Sequence, residues 1–446
     1  MTLVEPRRHP PKDDVTADQL AGYFRRLFPL HRSITGAGVR ATHDILGEIL
    51  PLERIEVASG TPVFDWTVPP EWVVREAYVV TPDGRRILDV ADNNLHLLNY
   101  AAPFRGRVDR AELDAHLHSL PDQPDAIPYV TSYYERRWGF CIAESMRRAL
   151  PEGDYEVVVD TEFMDGALTI SEAVLAGTEP DEVLISTYTC HPSMANHELS
   201  GPLVAAFLYR RLAAAPRRLT YRFVFVPETI GSIAYLSLRG EHLKQHLIAG
   251  YVVNCLGLEA RFTYKRSRRG TTVADRAAIH ALTRDGRKAD ILDFFPSGSD
   301  ERQYCSPGFD LPVGSIMRTP YAAFPEYHTS LDGPDRISFE ALLGSLDLYF
   351  EVCQVLEHNL LYRNLSPYGE PNLGRRGLYP TLGAAVQSSR RIDAMMWLLN
   401  LADGTHDLLA IAERSGIDLE SLIAAAADCQ EAELIARVGH AGADRQ

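Results

Sequence analysis

The sequence lacks any long apolar run and is short of positive charge. No stretch approaches the roughly 18 to 20 consecutive apolar residues of a membrane-spanning helix, and the first eight residues lack the apolar centre of a secretory signal. We therefore expect a cytoplasmic protein with no membrane partner. The chain has 45 Lys and Arg residues against 60 Asp and Glu residues, a net charge of -15. Because an acidic chain has little attraction for phosphate backbones, we expect no nucleic-acid partner.

Cysteine is also scarce, with six residues in a chain of 446, and no two of them form a CxxC pair. This excludes a dense disulfide framework and a zinc ribbon. Any metal site must then be built from His, Asp and Glu side chains. Such ligands are typical of hydrolytic metal sites rather than of structural thiolate sites.

Apolar runs alternate with helical spacings over most of the chain. Helices are predicted at residues 17–28 and up to about residue 50, and short β-like runs follow from 55 to 113. Beyond Pro128, strands are predicted at 155–159, 182–188, 221–226, 248–254 and 311–316, and helices at 201–213 and 230–247. This alternation predicts an α/β sheet with helices on both faces and strands buried on both sides.

The C-terminal segment has the helix lengths and breaks of a helix-turn-helix. Helical segments are predicted at 393–401, 405–415 and 419–437. The third of them and the residue before it are acidic, whereas a DNA-recognition helix needs Lys or Arg at the groove. We interpret this segment as a protein-interaction module through which the chain can form a homo-oligomer.

The candidate metal ligands lie in loops that follow predicted strands. His191 and His197 follow the strand that ends near residue 188, Glu228 follows the next strand, and Asp300 and His328 come later in the chain. Sites in α/β sheets assemble in loops beyond the carboxyl ends of strands. The set combines imidazole and carboxylate ligands and suits zinc, cobalt or manganese.

These loops resemble the ligand motifs of the co-catalytic zinc aminopeptidases. The matching segments, in the order of that family's motifs, are 196–201, 227–228, 299–300 and 327–329. A closer resemblance is to a bacterial family of aminopeptidase-like proteins with an inserted β subdomain and a C-terminal winged helix. It covers nearly the whole chain, through segments 32–36, 64–66, 93–96, 127–134, 264–270 and 296–303.

The resemblance implies a three-layer α/β/α sandwich in four parts. Residues 1–54 are the N-terminal helical part of the aminopeptidase-like domain, 55–125 the inserted small β subdomain, 126–365 the catalytic domain and 366–446 the winged-helix-like domain. The implied activity is that of an amidohydrolase with a zinc cofactor.

Two departures from the aminopeptidase pattern bear on mechanism. His197 occupies the position of a bridging Asp, and Pro227 occupies the position of the general base. An imidazole gives one nitrogen to one metal and does not bridge two ions as a carboxylate does. We therefore expect one Zn²⁺ per chain.

Two ligand assignments fit this expectation. In the first, His191, His197 and Asp300 hold the ion, Glu228 is the general base and His328 stabilises the oxyanion. In the second, which resembles the mononuclear glutaminyl cyclases of the same fold, His197, Glu228 and His328 hold the ion, and Asp300 or Glu326 is the base. We favour the first, because it gives Glu228 a defined role at the end of its strand.

The predicted function is removal of an amino acid from a small peptide, an amino-acid amide or a peptide-like biosynthetic intermediate by metal-activated water. Candidate substrate-binding residues are Arg302, Arg318, Tyr321 and Arg269. A substrate carboxylate would engage an arginine. A free amino terminus would engage a carboxylate such as Glu326 or Asp300. The alternatives are a cyclising acyl transferase on the same scaffold and a catalytically impaired binding or assembly protein.

Overall fold

The computed structural model describes residues 15–378 and 385–440. The strands are β1 (Glu53–Ala58), β2 (Pro62–Val63), β3 (Trp66–Thr67), β4 (Glu71–Val80), β5 (Arg86–Ile87), β6 (Phe104–Asp109), β7 (Leu117–His118), β8 (Phe140–Cys141), β9 (Asp154–Met164), β10 (Ala167–Leu175), β11 (Glu182–Tyr188), β12 (Thr220–Val226), β13 (Leu247–Val253), β14 (Thr263–Lys265), β15 (Asp290–Leu292), β16 (Val313–Met317), β17 (Leu360–Asn364), β18 (Asp403–Asp407) and β19 (Ile435–His440).

The helices are α1 (Ala17–Leu27), α2 (Ala37–Leu46), α3 (Arg110–Ala115), α4 (Glu144–Arg148), α5 (Ser200–Ala213), α6 (Ile230–His246), α7 (Val273–Thr283), α8 (Glu301–Tyr304), α9 (Phe339–His358), α10 (Ala385–Leu401), α11 (Leu408–Ser415) and α12 (Leu419–Glu431). None of the helices in the described part of the chain combines the length and the apolar composition needed to cross a bilayer.

The chain divides into two compact units, and the larger comprises Asp14–Asp275 and Leu282–Phe350. Its centre is an eight-stranded sheet in the order β1-β10-β12-β11-β13-β16-β14-β15. The four middle strands, β12, β11, β13 and β16, run parallel, and antiparallel pairs continue the sheet on both sides. Every residue of β11 and β12 is buried, as expected for strands covered on both faces. The predicted α/β fold is therefore confirmed.

The connections between the parallel strands place helices on both faces of this sheet. From β11 the chain passes through α5 to β12, and from β12 it passes through α6 to β13, on the other side of β11. Because such crossovers are right-handed, two that run in opposite directions put their helices on opposite faces. The strand order therefore reverses at β11, where the chain continues first to one side and then to the other. Ligands of open α/β sheets bind at such a topological switch point.

A second sheet has the order β5-β4-β9-β6. Its long strand β9 lies beyond residue 125, and β1 belongs instead to the central sheet, where it pairs with β10. The expected β insertion at 55–125 therefore completes its sheet with a strand from the segment assigned to the catalytic domain. Strand pairing is a long-range property, and the local alternation of apolar residues does not encode it.

The smaller unit contains an antiparallel sheet in the order β18-β17-β19 together with α10, α11 and α12. Two predicted helix boundaries are wrong, because residues 405–407 belong to β18 and α12 ends at Glu431 before β19 begins. The sheet begins at Leu360, six residues before the predicted boundary at 366. Asp418 caps α12 by accepting a hydrogen bond from the Ser421 backbone N–H at 2.8 Å, so one of the acidic residues of this segment has a structural role.

Candidate metal centre

The loop after β11 positions two histidines. His191 lies just beyond the strand, and His197 lies in a single π-helical turn, Ala195–Leu199, that leads directly into α5. The carboxylate of Asp332 accepts hydrogen bonds from the backbone N–H groups of Asn196 and His197, at 2.8 and 2.9 Å. Turns of this kind are rare and often occur at functional sites. Asp332 therefore fixes the backbone of His197.

Three histidines converge at this point. His191, His197 and His328 each offer a ring nitrogen, and these nitrogens lie within 4.8 Å of one another. The Nε2 atoms of His197 and His328 are 3.0 Å apart, and the ring centroids of His191 and His197 are 4.5 Å apart. We call these three residues the histidine cluster. Neither predicted ligand set unites them, since the first omits His328 and the second omits His191.

The other ring nitrogens of the two loop histidines are engaged by neighbouring side chains. His191 Nδ1 lies 2.7 Å from Oε2 of Glu198, and His197 Nδ1 lies 3.0 Å from the hydroxyl of Tyr188. The Tyr188 hydroxyl also donates a hydrogen bond to the His197 carbonyl, so it accepts a hydrogen bond from His197 Nδ1–H. A partner that accepts the Nδ1 proton fixes the tautomer and leaves Nε2 as the electron-pair donor.

Burial keeps the histidine cluster neutral. Burial and the charge of Arg32 lower the pKa of His191 to about 3, and burial with the proximity of His191 lowers the pKa of His328 to about 3. The pKa of His197 also lies well below its usual value, again chiefly through burial. Neutral imidazole is the form that binds a metal ion.

Arg32 anchors the loop that carries His191. Its Nε donates to the His191 carbonyl at 2.8 Å and lies 3.6 Å from a Glu198 carboxylate oxygen, and both side chains are fully buried. Burial raises the pKa of Glu198 to about 8, although the charge of Arg32 opposes the shift. The motif at 32–36 therefore has a physical role, because it anchors the loop that carries His191.

Glu228 and Asp300 lie beside the cluster. Oε2 of Glu228 is 3.5 Å from His191 Nε2. Oδ1 of Asp300 accepts hydrogen bonds from the Thr229 backbone N–H and the Ser232 hydroxyl, at 2.7 and 2.8 Å. Burial raises the pKa of both carboxyls, and the negative charge of Asp300 raises that of Glu228 further. Oδ2 of Asp300 is buried without a hydrogen-bond partner among the described residues.

Backbone strain is concentrated around the site. The residues Ser193, Thr229, Cys255 and His328 all have positive φ angles, at 46°, 66°, 51° and 56°. Such conformations cost about 1 to 3 kcal/mol each and cluster at functional sites. The backbone of His328 is held by a hydrogen bond, in which the Tyr129 N–H donates to the His328 carbonyl at 2.8 Å. The phenol ring of Tyr129 also packs edge-on against the rings of His191 and His328.

The remaining predicted site residues make other contacts. Arg302 donates to the Thr229 hydroxyl at 2.9 Å and so lies beside Glu228. Glu326 forms an ion pair with Arg336 at 2.5 Å. The other three are occupied within the fold: Arg318 by Ser345 and the Ala260 carbonyl, Tyr321 by Asn254 and Glu301, and Arg269 by Asp310.

Sequence reasoning missed the residues that orient the histidines. Glu198, Tyr188 and Asp332 occupy positions that carry no local signal of this role, because each acts through a contact set by the fold. One clue was present in the acidic residue that directly follows His197. Metal-ligating histidines usually donate their second N–H to a carboxylate, so a neighbouring Glu is a candidate partner.

The donor set fits zinc. Three neutral imidazole nitrogens converge, two of them oriented by hydrogen bonds, and a buried carboxylate lies beside them. Catalytic zinc sites use three protein ligands and keep a further position open.

Comparison with known proteins identifies the family. A family model described as a domain of unknown function, DUF4910, matches residues 22–359. The chain belongs to the DUF4910 family. A winged helix-turn-helix model matches residues 360–437, directly after the DUF4910 segment, and confirms the C-terminal winged helix.

The DUF4910 chain is similar along nearly its full length to a named protein and to a solved structure, both from Clostridium acetobutylicum. A protein of Clostridium acetobutylicum, named for polysaccharide biosynthesis and an aminopeptidase-like domain, is 42% identical over 94% of this chain and 96% of its own. A solved structure from the same organism, described provisionally as a peptidase, has 41% identity and a TM-score of 0.87 over 95% of this chain and 96% of that one.

A more distant structure shows the fold. The zinc aminopeptidase of Bacillus subtilis has 14% identity and a TM-score of 0.58, over 77% of this chain and 95% of its own. The predicted resemblance to the zinc aminopeptidase fold is therefore confirmed.

Proposed function

We propose that this protein is a metal-dependent amide hydrolase that removes an amino acid from a small peptide or a peptide-like biosynthetic intermediate. The observation that carries the proposal is the convergence of His191, His197 and His328 beside the buried carboxylate of Glu228. The relatives support a peptidase-like hydrolase, since one is named as a zinc aminopeptidase and one as a peptidase. The name of the Clostridium relative supports a biosynthetic role.

One zinc ion per chain would be held by the Nε2 atoms of the histidine cluster. When bound, zinc supplies a Lewis acid that polarises an amide carbonyl and makes water more acidic. A single ion is favoured because Tyr188 engages the second nitrogen of His197, so this residue has no free atom with which to bridge.

Glu228 is the general base in this proposal. Its carboxylate takes a proton from water at Oε2 and passes it to the nitrogen of the departing amine. Burial raises the pKa of Glu228, which brings the carboxyl closer to the pH at which a base works best. Arg302, beside Thr229, and Asp300 set the charge around this carboxylate.

The deciding experiment combines metal content with turnover. Protein prepared without chelators or nickel resin is measured by plasma mass spectrometry and assayed on aminoacyl amides and N-acyl amino acids. We expect about one zinc per chain and release of a free amino acid. Glu228→Gln should lower kcat by about 10² to 10⁴-fold while the zinc content is unchanged.

Glu326→Gln is the matched control, because Glu326 is a nearby carboxylate that is paired with Arg336. It should retain both metal and turnover. Loss of zinc in Glu228→Gln would show that Glu228 is a ligand. A wild-type protein that takes up no zinc and cleaves no amide would contradict the proposal and direct the search to binding partners.

A further inference from the structure

A cleft beside the short β2–β3 hairpin lies outside the histidine cluster and has no role in the reaction described above. Its volume is about 220 Å³, and its lining includes Thr67, Pro69, Pro70, Tyr134, Glu135 and Arg136. Two consecutive prolines restrict the chain at its wall. A volume of this size suits one ring-sized group rather than a whole drug-sized ligand.

Exposed aromatic rings border this cleft. Trp66 is 41% exposed and Tyr134 is 52% exposed, and their ring centroids lie 5.5 Å apart at an interplanar angle of 65°. Phe64, two residues before Trp66, is 62% exposed and packs against the ring of Phe309, outside the cleft lining. We call Trp66 and Tyr134 the aromatic rim. A contiguous patch of large apolar side chains on a protein surface often marks a binding site.

The backbone that presents these rings is strained. Phe64, Tyr134 and the cleft residue Tyr100 have φ angles of 54°, 64° and 69°, in the left-handed region that bulky side chains rarely adopt. Strain of this kind persists where the surrounding structure holds it, and it is found at ligand-binding positions. Within the cleft lining, Tyr134 and Tyr100 are thus both held in a strained backbone conformation.

Polar donors without partners lie beside the rings. The guanidinium of Arg136 rests on the ring of Phe163, 3.6 Å from its centroid. Within residues 15–378 and 385–440, Arg136 makes no hydrogen bond or ion pair, and the indole N–H of Trp66 has no acceptor. An arginine fixed in this way offers several N–H groups in one plane to oxygen atoms of a ligand.

We propose that this cleft binds a saccharide. A pyranose ring has a flat face of C–H groups that stacks on an aromatic ring, and a rim of oxygen atoms that accepts hydrogen bonds. The aromatic rim supplies the first surface, and Arg136 supplies donors to hydroxyl or carboxylate oxygens. The exposed fractions of Trp66 and Tyr134 leave faces available for stacking, while a purely apolar partner would leave the Arg136 donors unsatisfied.

The cleft and the histidine cluster are joined by one short segment. Tyr129 packs against His191 and His328, and Tyr134 borders the cleft. Five residues separate their Cα atoms by at most about 18 Å. A molecule that placed a saccharide in the cleft and an amide near the histidines would have to span a distance of this order. This last step rests on the proposed function, whereas saccharide binding does not.

The test is titration calorimetry of the full-length protein with chitohexaose, cellohexaose and hexagalacturonic acid. We expect at least one of them to bind, and Trp66→Ala to weaken that binding by at least tenfold. Trp66→Phe keeps a ring and should retain most of the affinity. Arg136→Ala should weaken binding, most strongly for the acidic oligosaccharide. Trp397→Ala, which removes a 37% exposed Trp elsewhere in the chain, is the control and should bind as the wild type does.

The proposal fails if none of the three saccharides binds at millimolar concentration, or if Trp66→Ala binds as tightly as Trp397→Ala. A cleft that binds peptides but not saccharides in a Trp66-dependent way would also overturn it. Failure of the proposed hydrolase would appear separately, as an absence of cleavage of small aminoacyl amides. Glu228→Gln should bind the saccharides as the wild type does, which keeps the two outcomes distinct.

Discussion

The Nε2 atoms of His197 and His328 lie 3.0 Å apart, although the two residues are 131 positions apart in the chain. Two neutral imidazoles at this distance either form a hydrogen bond with each other or direct both lone pairs at the same cation. Tyr188 engages Nδ1 of His197, so only Nε2 of His197 can face such a cation. The pair thus defines one position for an ion rather than two.

His197→Asp should raise the metal content from about one zinc per chain to about two. A carboxylate has two oxygens and can bridge two ions, whereas His197 offers one free nitrogen. The second ion would find Asp300, whose Oδ2 is buried without a partner among the residues the structure describes. Plasma mass spectrometry on the purified variant measures the change.

The matched control is His197→Asn, which has the size of Asp without its charge. It should hold less than one zinc per chain, because it loses an imidazole and gains no carboxylate. A His197→Asp variant that still holds one zinc or none would show that the second position does not exist in this fold.

Glu198→Gln should weaken zinc binding by about 10- to 100-fold. Glu198 accepts a hydrogen bond from His191 Nδ1 at 2.7 Å, and a carboxylate there orients the ring and makes Nε2 a stronger donor. Gln keeps the shape but cannot ionise, whereas a bound cation would favour the carboxylate form of Glu198. Competition against a fluorescent zinc chelator gives the affinity directly.

Asp347→Asn is the control, because Asp347 is a 61% exposed partner of Arg211 on the larger unit. Its zinc affinity should match that of the wild type. An unchanged affinity in Glu198→Gln would contradict the positioning role. Circular dichroism of both variants separates this role from a loss of folding.

The central strands could be predicted from the sequence because burial on two faces leaves a continuous apolar signature. The predicted strand at 182–188 coincides with β11, and the next strand differs from β12 by one residue. The same signature placed the candidate ligands at strand ends. The pattern of polar and apolar residues in the C-terminal segment predicted its elements less well. The strand β18 is polar, and its sequence resembles the start of a helix.

The convergence of three histidines among the five candidate ligands could not be predicted. His197 lies in a π-helical turn and His328 has a φ of 56°, and neither geometry follows a helical or extended period. The direction of each ring depends on residues far away in the sequence, such as Asp332 for His197. The motifs therefore identified the candidate residues, while their relative geometry required the fold.

A buried charge network links three strands of the central sheet. Arg222 on β12 pairs with Glu172 on β10 and with Glu182 on β11, at 2.8 Å in each case. Burial alone would raise the pKa of Glu182, but hydrogen bonds from Arg222 outweigh it and hold that pKa below its usual value. The pKa of Glu172 is also lowered, since bonds from Arg239 and Tyr235 overcome burial.

Arg222→Met should lower the free energy of unfolding by about 3 to 5 kcal/mol at pH 7, because it removes the cation that two buried carboxylates share and leaves Glu182 without an arginine partner. The lowered pKa values make the wild-type network most stabilising above the unfolded pKa of about 4.3. That stability is lost as the pH falls through the folded values. In Arg222→Met the pKa of Glu182 should rise, so its stability deficit should shrink between pH 7 and pH 4.

Urea unfolding of the wild type and the variant at both pH values tests this prediction. Arg222→Met combined with Glu182→Gln should recover part of the loss at pH 7, because the uncompensated charge is removed with its partner. Arg75→Met is the control, since Arg75 pairs with Asp160 and Glu162 at the surface, where ion pairs contribute at most about 1 kcal/mol. Equal losses in Arg75→Met and Arg222→Met would show that burial gives the network no special weight.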